Sequence, residues 1–410
     1  MTISIGQGRT TAARSALQRV LEQASNGETI EEAEAQVLAG ADDDGLVDLC
    51  ETAVRLRDLG KGKVVTFSPK VFIPLTRLCR DFCGYCTFRQ EPASAEKLYL
   101  TPEEVLDVAG VGQKLGCTEA LFTLGERPEQ RYPEAQEWLQ HREYRTTLEY
   151  LADVCKLVLA ETSLLPHANP GTMSRRELAA LQPYSPSMGL MLESTSERLY
   201  ASGGPHEFAP SKRPRVRLRT TQIAGELGIP FTSGILIGIG ETRQERIDSL
   251  LALRRLHRSY GHIQEVIVQN FRAKAGTPMH DEPDAAATEL LWTVAIARIL
   301  LGPAVNIQVP PNLSASDYQV YLNAGTNDWG GVSPLTIDYV NPEAPWPGLA
   351  ELRYRTQSMG FELRPRLPVY PEYFMEADNY LPATLRARAL ALADDEGYVK
   401  GGIQRYAGND

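Results

Sequence analysis

Between residues 12 and 60 apolar side chains recur three and four positions apart: Leu17, Val20 and Leu21, then Ile30, Ala33, Val37 and Leu38, then Leu46, Leu49, Ala53 and Leu56. This spacing puts each set on one face of an amphipathic helix. Asn26-Gly27 and the acidic turn Asp42-Asp43-Asp44-Gly45 separate the sets. The pattern predicts a helical N-terminal extension over residues 1–62. From residue 63 the rhythm changes to short β-rich runs, each followed by a helical segment. Val71-Phe72-Ile73-Pro74-Leu75 precedes a helix opened by Thr101-Pro102-Glu103-Glu104, where Thr101 caps and Pro102 suits the first turn. Ala120-Leu121-Phe122-Thr123-Leu124 precedes a helix near 144–159, and a strand at 164–168 precedes the capping box Ser174-Arg175-Arg176-Glu177. Gly189-Leu190-Met191-Leu192, Gly234-Ile235-Leu236-Ile237, Val266-Ile267-Val268 and Ile307-Gln308-Val309 continue the series, and an eighth strand is expected near 329–332.

Seven or eight strand–helix alternations imply parallel strands, because each helix carries the chain back to the same edge. The expected fold class is α/β, a (β/α) barrel of the TIM type, complete or nearly so, over residues 63–340, with every strand's C-terminal end on one face. An open doubly wound sheet competes, and periodicity does not separate the two. Beyond residue 341 prolines become frequent (Pro342, Pro345, Pro347, Pro365, Pro368, Pro371), predicting an irregular C-terminal segment, 341–410, packed on the barrel.

Lys and Arg number 42 against 52 Asp and Glu, a net charge of −10, which argues against nucleic acid or an anionic membrane as partner. The apolar stretch 290–301 carries Arg298 and is too short to span a bilayer, and the first residues have no basic segment leading into an apolar one. A soluble cytoplasmic protein is expected.

Six cysteines stand at 50, 79, 83, 86, 117 and 155. Three of them fall in Cys79-Arg80-Asp81-Phe82-Cys83-Gly84-Tyr85-Cys86, directly after the first strand. In a reducing compartment such crowding suits metal better than disulfides. Three thiolates can hold three irons of a 4Fe-4S cube, and with no fourth cysteine nearby one iron stays open to a ligand. Gly84 permits a tight wrap, and Phe82 and Tyr85 can shield the cluster. Two other readings stand beside this one. Spacings of four and three are also helical, so the cysteines would form one buried helix face; or they bind zinc, although structural zinc wants four closed ligands. Cys50, Cys117 and Cys155 lie in helical or apolar contexts and read as core.

Cys-x3-Cys-x2-Cys, with an aromatic before its last cysteine and a barrel strand before its first, resembles the radical S-adenosylmethionine (SAM) superfamily. The resemblance implies that Cys79, Cys83 and Cys86 bind the cluster and that the open iron chelates the amino and carboxylate groups of SAM. The reduced cluster then cleaves SAM to methionine and a 5'-deoxyadenosyl radical. Thr123-Leu124-Gly125-Glu126 resembles the superfamily's Gly-Gly-Glu element, with Leu124 in place of the first glycine; Gly125 and Glu126 would receive the methionine ammonium. Glu193-Ser194 stands where relatives bind ribose or ammonium, and Arg217 or Arg219 would pair with the SAM carboxylate, as in biotin-synthase-like members. The glycine-rich run around Gly238 resembles the element along adenine, with Asn270 completing that pocket and Tyr85 on the cluster side. Without the cysteines, Gly238-x-Gly240 is equally a tight strand-to-helix turn, and it lacks the third glycine of a dinucleotide fingerprint.

Further segments resemble one family more narrowly: Thr87-Phe88-Arg89, Thr123 to Glu129, His167-Ala168-Asn169-Pro170-Gly171, Gln269 to Lys274, and Asn323 to Gly331. They are similar to the cyclising subunit of 7,8-didemethyl-8-hydroxy-5-deazariboflavin synthases, which build the deazaflavin of coenzyme F-420. That resemblance implies oxidative cyclisation, with release of ammonia and cleavage of SAM, of the adduct 5-amino-5-(4-hydroxybenzyl)-6-(D-ribitylimino)-5,6-dihydrouracil. A separate radical SAM partner subunit would supply the adduct, since only one cysteine motif is present, and a donor such as ferredoxin or flavodoxin would supply electrons. The polar substrate directs attention to Tyr132, His167 and Asn169 as catalytic candidates, and to Asn270, Asn312, Asn327 and Asp328 as pocket groups. Trp329 either stacks on a ring or packs beside Gly330-Gly331. Another biotin-synthase-like or menaquinone-pathway enzyme is the alternative within the superfamily, and a non-catalytic iron–sulfur protein the alternative outside it.

Overall fold

A computed structural model describes residues 4–314, 316–375 and 379–406. Eight parallel strands carry the chain round a ring: β1 (Val64–Ile73), β2 (Glu119–Thr123), β3 (Leu165–Asn169), β4 (Ser187–Gly189), β5 (Phe231–Ile237), β6 (Ile263–Asn270), β7 (Asn306–Gln308) and β8 (Asp328–Val332). β1 pairs with both β2 and β8, so the sheet closes and the open doubly wound alternative is excluded. Successive side chains alternate across each strand. On β1, Phe67, Val71 and Ile73 join the apolar layer under the helices, while Thr66 and Ser68 bond to Asp328 and Glu119 on the neighbouring strands β8 and β2.

The expected strands are all present, with differences that have local causes. β4 ends at Gly189, and pairing resumes only as an isolated bridge at Glu193, whose left-handed backbone (φ 66°) interrupts a regular ladder. β7 is followed by two 3-10 segments, Pro311–Ser314 and Tyr318–Ala324, instead of the expected helix. Pro310-Pro311 removes two amide donors and disfavours helical backbone in the preceding residue.

Helices α1 (Ser4–Ser25), α2 (Glu32–Leu38) and α3 (Asp43–Lys61) form the N-terminal extension and share a hydrophobic cluster with the barrel wall. Arg57, buried on α3, donates to the Leu322 carbonyl at 2.6 Å and stacks over Phe361, tying the extension to the loop before β8. The outer helices are α4 (Pro102–Lys114), α5 (Pro133–Gln140), α6 (Thr147–Glu161), α7 (Arg175–Leu181), α8 (Pro214–Glu226), α9 (Arg243–Tyr260) and α10 (Ala287–Leu301). Capping boxes open α4 at Thr101 and α7 at Ser174, as the sequence predicts. Among the described residues no helix is long and apolar enough to cross a membrane.

The C-terminal segment is more regular than its prolines suggest. It contains α11 (Leu349–Ser358), α12 (Ala383–Leu392) and a ninth strand, β9 (Glu362–Pro365), which pairs in parallel with residues 64–67 of β1. Pro365 ends that strand, where it leaves no ladder donor wanting. Leu367, Val369, Tyr370, Tyr373 and Phe374 then form an apolar cluster with Leu159 and Leu165 at the N-terminal end of the barrel. Beneath it Arg366 reaches into the lumen, bonding both oxygens of Asp328 and one of Glu265.

Candidate active site

At the C-terminal ends of the strands lies an open-mouthed cavity. Cys79, Cys83 and Cys86 line it from the loop after β1. That loop is a wrap and not a helix, so the helix-face reading of the three cysteines does not hold. Gly84 N–H donates to the Pro205 carbonyl at 2.8 Å and Phe82 N–H to Phe208 at 2.9 Å, while Arg77 holds the far end through the carbonyls of Thr87 and Phe88. Burial pushes the Cys79 thiol up to about 12 and raises Cys83 further.

The loop after β2 is pinned to the cysteine loop. Gly125 N–H donates to the Thr76 carbonyl, Arg80 N–H to the Glu126 carbonyl, and Glu126 N–H to Cys79 Sγ at 3.2 Å. A Cβ on Gly125 would overlap the Leu78 carbonyl, so only glycine allows this approach. The Glu126 carboxylate, 4% exposed, accepts from Thr172 N–H and Oγ1, and burial raises its pKa despite those bonds. Across the cavity Glu193 pairs with half-buried Lys212, and Arg217 donates to the carbonyls of Ser211 and Met191. The Tyr85 hydroxyl lies 3.0 Å from Nε2 of His206, which burial, reinforced by Lys212, keeps neutral with a pKa of about 3. Asn270 donates through Nδ2 to the Leu313 carbonyl, leaving its buried Oδ1 with no partner.

Of the residues singled out from sequence, the cavity brings together the three cysteines, Tyr85, Gly125, Glu126, Asn169, Glu193, Arg217 and Asn270. The others lie elsewhere. Tyr132 sits behind the cysteine loop, its hydroxyl on the Cys79 carbonyl at 3.3 Å. His167 is one layer deeper in the lumen, since Asn169, two residues on, occupies the rim. Its Nδ1 is 2.7 Å from Ser187 Oγ. That hydroxyl donates to the Pro368 carbonyl, so His167 Nδ1 carries the proton and burial holds the ring neutral, with a pKa of about 4. Ser194 turns away, its Oγ accepting from Ser196 N–H. Arg219 is on the exposed face of α8, 3.6 Å from Glu226, because two residues along a helix turn it far from Arg217. Gly238 lies outside the cavity lining, its N–H on Glu241 and its backbone at φ 89° in a tight turn.

The remaining polar candidates serve structure. Asn312 donates to Asp338 and the Ala344 carbonyl. Asn327 receives Arg298 and Ile307 N–H near the start of β8, and Asp328 is part of the Arg366 network at the opposite end of the barrel. Trp329 is fully buried and donates from Nε1 to Thr356, so it packs and does not stack on a ligand. The sequence reading missed Lys212, Lys274 and Asn341 as cavity residues. Lys212 sits in Pro210-Ser211-Lys212-Arg213-Pro214, where nothing local distinguishes a cavity lysine from a surface one.

Residues 73–253 match the model of the radical SAM superfamily. The chain is 53% identical over 337 residues to the 7,8-didemethyl-8-hydroxy-5-deazariboflavin synthase of Methanopyrus kandleri, covering 82% of this chain and 100% of that protein. It is 50% identical over 404 residues to the FO synthase of Streptomyces avermitilis, covering 96% of this chain but 47% of that one. The chain thus spans about half the length of such actinobacterial relatives. In fold it is similar to the FeFe-hydrogenase maturase HydG of Carboxydothermus hydrogenoformans, with a TM-score of 0.68 at 20% identity over 92% of this chain and 88% of that one. Methylornithine synthase (PylB) gives a TM-score of 0.65 at 19% identity over 84% and 97%.

Proposed function

Because the chain belongs to the 7,8-didemethyl-8-hydroxy-5-deazariboflavin synthase family of radical SAM enzymes, we propose that it carries out the cyclising half of deazaflavin synthesis. The hydroxybenzyl–ribityliminouracil adduct is closed to the deazaflavin with loss of ammonia, while SAM is cleaved to methionine and 5'-deoxyadenosine. One observation carries the reading: three thiols and the Gly125-Glu126 element pinned to them border the same cavity.

The residues fit a 4Fe-4S cube with one open iron. Three thiols line the cavity wall, and burial disfavours the bare thiolates of Cys79 and Cys83, which bound metal would stabilise. They also fit SAM. Glu126 would accept the methionine ammonium, Arg217 would face the carboxylate, and the Lys212–Glu193 pair would hold the rim beside the ribose. The unpartnered Oδ1 of Asn270 suits an amino donor such as that of adenine. When bound, cluster and SAM supply a one-electron reductive cleavage that yields a hydrogen-abstracting 5'-deoxyadenosyl radical. Phe88, Leu236 and Phe271 would keep water from the reacting centre. Asn169 would present its amide to the substrate, with Tyr132 and His167 acting as positioning residues behind the rim. The adduct would come from a separate hydroxybenzyl-transferring radical subunit, and the electron from a low-potential carrier such as ferredoxin or flavodoxin.

The test is an anaerobic assay with reconstituted protein, dithionite, SAM and adduct, following 5'-deoxyadenosine and the fluorescent deazaflavin together. Both products are expected. Nucleoside without deazaflavin would leave the radical machinery standing and remove the substrate assignment. Neither product, from protein shown to hold an intact cluster, would remove the enzyme reading. In the same system Glu126→Ala is expected to weaken SAM binding roughly tenfold, the scale of one charged hydrogen bond, with the iron–sulfur chromophore retained. Unchanged affinity on SAM titration would reject that role for Glu126.

A further inference from the structure

A shallow surface groove between the loop after β3 and the start of α8 is lined by Arg127, Arg215 and Arg219 over Met173, Val216 and Ile223, with no carboxylate among its lining residues. In a chain of net charge −10 this is a local excess of cations above an apolar floor. Arg127 takes a left-handed backbone (φ 38°), rare for so large a side chain, and its guanidinium is clamped by both oxygens of Glu177 and by the Thr172 carbonyl, so that wall of the groove is fixed. Arg215 is exposed and takes part in no salt bridge among the described residues. It stands in the first turn of α8, which holds no acidic residue.

The groove is bonded to the cysteine loop through its own lining. Thr172, one of the lining residues, donates from N–H at 3.0 Å and from Oγ1 at 2.5 Å to the Glu126 carboxylate, and Glu126 N–H donates to Cys79 Sγ at 3.2 Å. Thr172 and Glu126 alone thus connect a cationic surface to a cluster thiol. Arg127 and Arg80 approach Glu126 Oε1 at 3.7 and 3.9 Å, and exposed Arg131 donates to the Arg80 carbonyl at 3.0 Å, which carries positive charge on to the cysteine loop itself. Reductive cleavage of SAM draws its electron from outside the chain. Electron transfer slows exponentially with distance, so a donor must dock where a cluster thiol comes near the surface and leave the cavity mouth to SAM and the adduct. We infer that this groove is the docking surface for a small acidic electron-carrier protein, whose carboxylates meet Arg127, Arg215 and Arg219 while apolar surface around its redox group seats on Met173 and Val216. The carrier is oxidised by one electron and the cluster reduced by one, with no bond made or broken. The inference rests on the radical SAM reading and names the kind of partner that supplies its electron.

The experiment uses flavodoxin as the carrier. Binding of its oxidised form to the holoenzyme is titrated at low salt, and 5'-deoxyadenosine formation is driven either by its hydroquinone or by dithionite, which needs no docking. Arg215→Glu puts an acid in the first turn of a helix, where it suits the dipole, so the variant should fold. It is expected to weaken flavodoxin binding about tenfold and to slow carrier-driven nucleoside formation to match, with the dithionite-driven yield changed by less than about twofold. Arg215→Lys should stay near wild type, as should Arg353→Glu, an equal change of charge at an exposed site on α11. Unchanged flavodoxin affinity in Arg215→Glu would overturn the docking surface, as would an equal loss in Arg353→Glu, which would leave net charge as the whole effect. A fall in the dithionite-driven yield would overturn it too, by placing the effect of Arg215 at the SAM site. Loss of self-association in Arg215→Glu on sedimentation, with flavodoxin affinity kept, would give the groove to a second copy of the chain. Nucleoside without deazaflavin from the wild-type enzyme would remove the cyclase reading and leave the docking surface standing, whereas no nucleoside with dithionite would remove both.

Discussion

Cys83→Ala is expected to bring 5'-deoxyadenosine formation down to the background of cluster-free protein. Cys83 is the central thiol of a loop whose neighbours on both sides are bonded to other loops, Phe82 to Phe208 and Gly84 to Pro205. No spare cysteine can swing in, because Cys117 and Cys155 are buried in the apolar layer outside the barrel. A cube held by two thiolates lacks the ligand set that keeps it intact. Cys155→Ala serves as the comparison: it removes a small buried apolar group and should keep the brown chromophore and the nucleoside yield. Anaerobic reconstitution with iron and sulfide counted per chain, followed by nucleoside quantitation, reads both variants. Wild-type yield from Cys83→Ala would disprove the cluster assignment.

Arg366→Leu is expected to destabilise the fold by about 3–5 kcal/mol, the usual cost of removing one partner from a buried ion pair. Arg366 is 3% exposed and is the cation that bonds Asp328 at 2.7 and 3.0 Å and Glu265 at 2.9 Å. Burial already raises the Glu265 pKa, with Arg366 the leading opposing influence. Without the guanidinium, the Glu265 carboxyl would titrate still further above its unfolded value, so the folded variant would bind more protons than the unfolded chain. Its stability would then rise as pH falls, and the deficit against wild type should be smaller at mildly acidic pH than above neutrality. Denaturant unfolding at two pH values measures this. Adding Asp328→Asn to Arg366→Leu should recover part of the loss, since one uncompensated charge disappears. A deficit independent of pH and untouched by the second substitution would mean that Arg366 contributes packing alone.

Much of this protein was legible along the chain because the relevant information is local. Alternating strands and helices follow from hydrophobic period, whereas closure into a ring, which that period leaves open against a doubly wound sheet, is decided by the pairing of β1 with both β2 and β8. The cysteine loop and Gly125-Glu126 were readable because their chemistry depends on spacing over a few residues. The errors fell where a residue's role depends on what lies across the lumen. Asn327 and Asp328 look like site residues in sequence, since polar groups at strand ends usually are, yet they lie at the start of β8, where Arg298 and Arg366 take up their charge and hydrogen bonds. Arg217 and Arg219 were equivalent as letters, and only the turn of α8 separates the cavity arginine from the exposed one. His167 and Asn169 were a single motif, and strand alternation with depth puts one beneath the cavity and the other on its rim.

By itself, then, the sequence determined the strand–helix alternation, the cluster motif and the family resemblance, each carried by short-range pattern. Only the tertiary structure decided that the sheet closes, which polar side chains face the cavity, and that β9 and its proline-rich continuation close the N-terminal end. Those facts depend on contacts between residues a hundred or more positions apart, such as Arg366 with Glu265, and on burial, which sets charge and hydrogen-bonding state and leaves no trace in the order of residues.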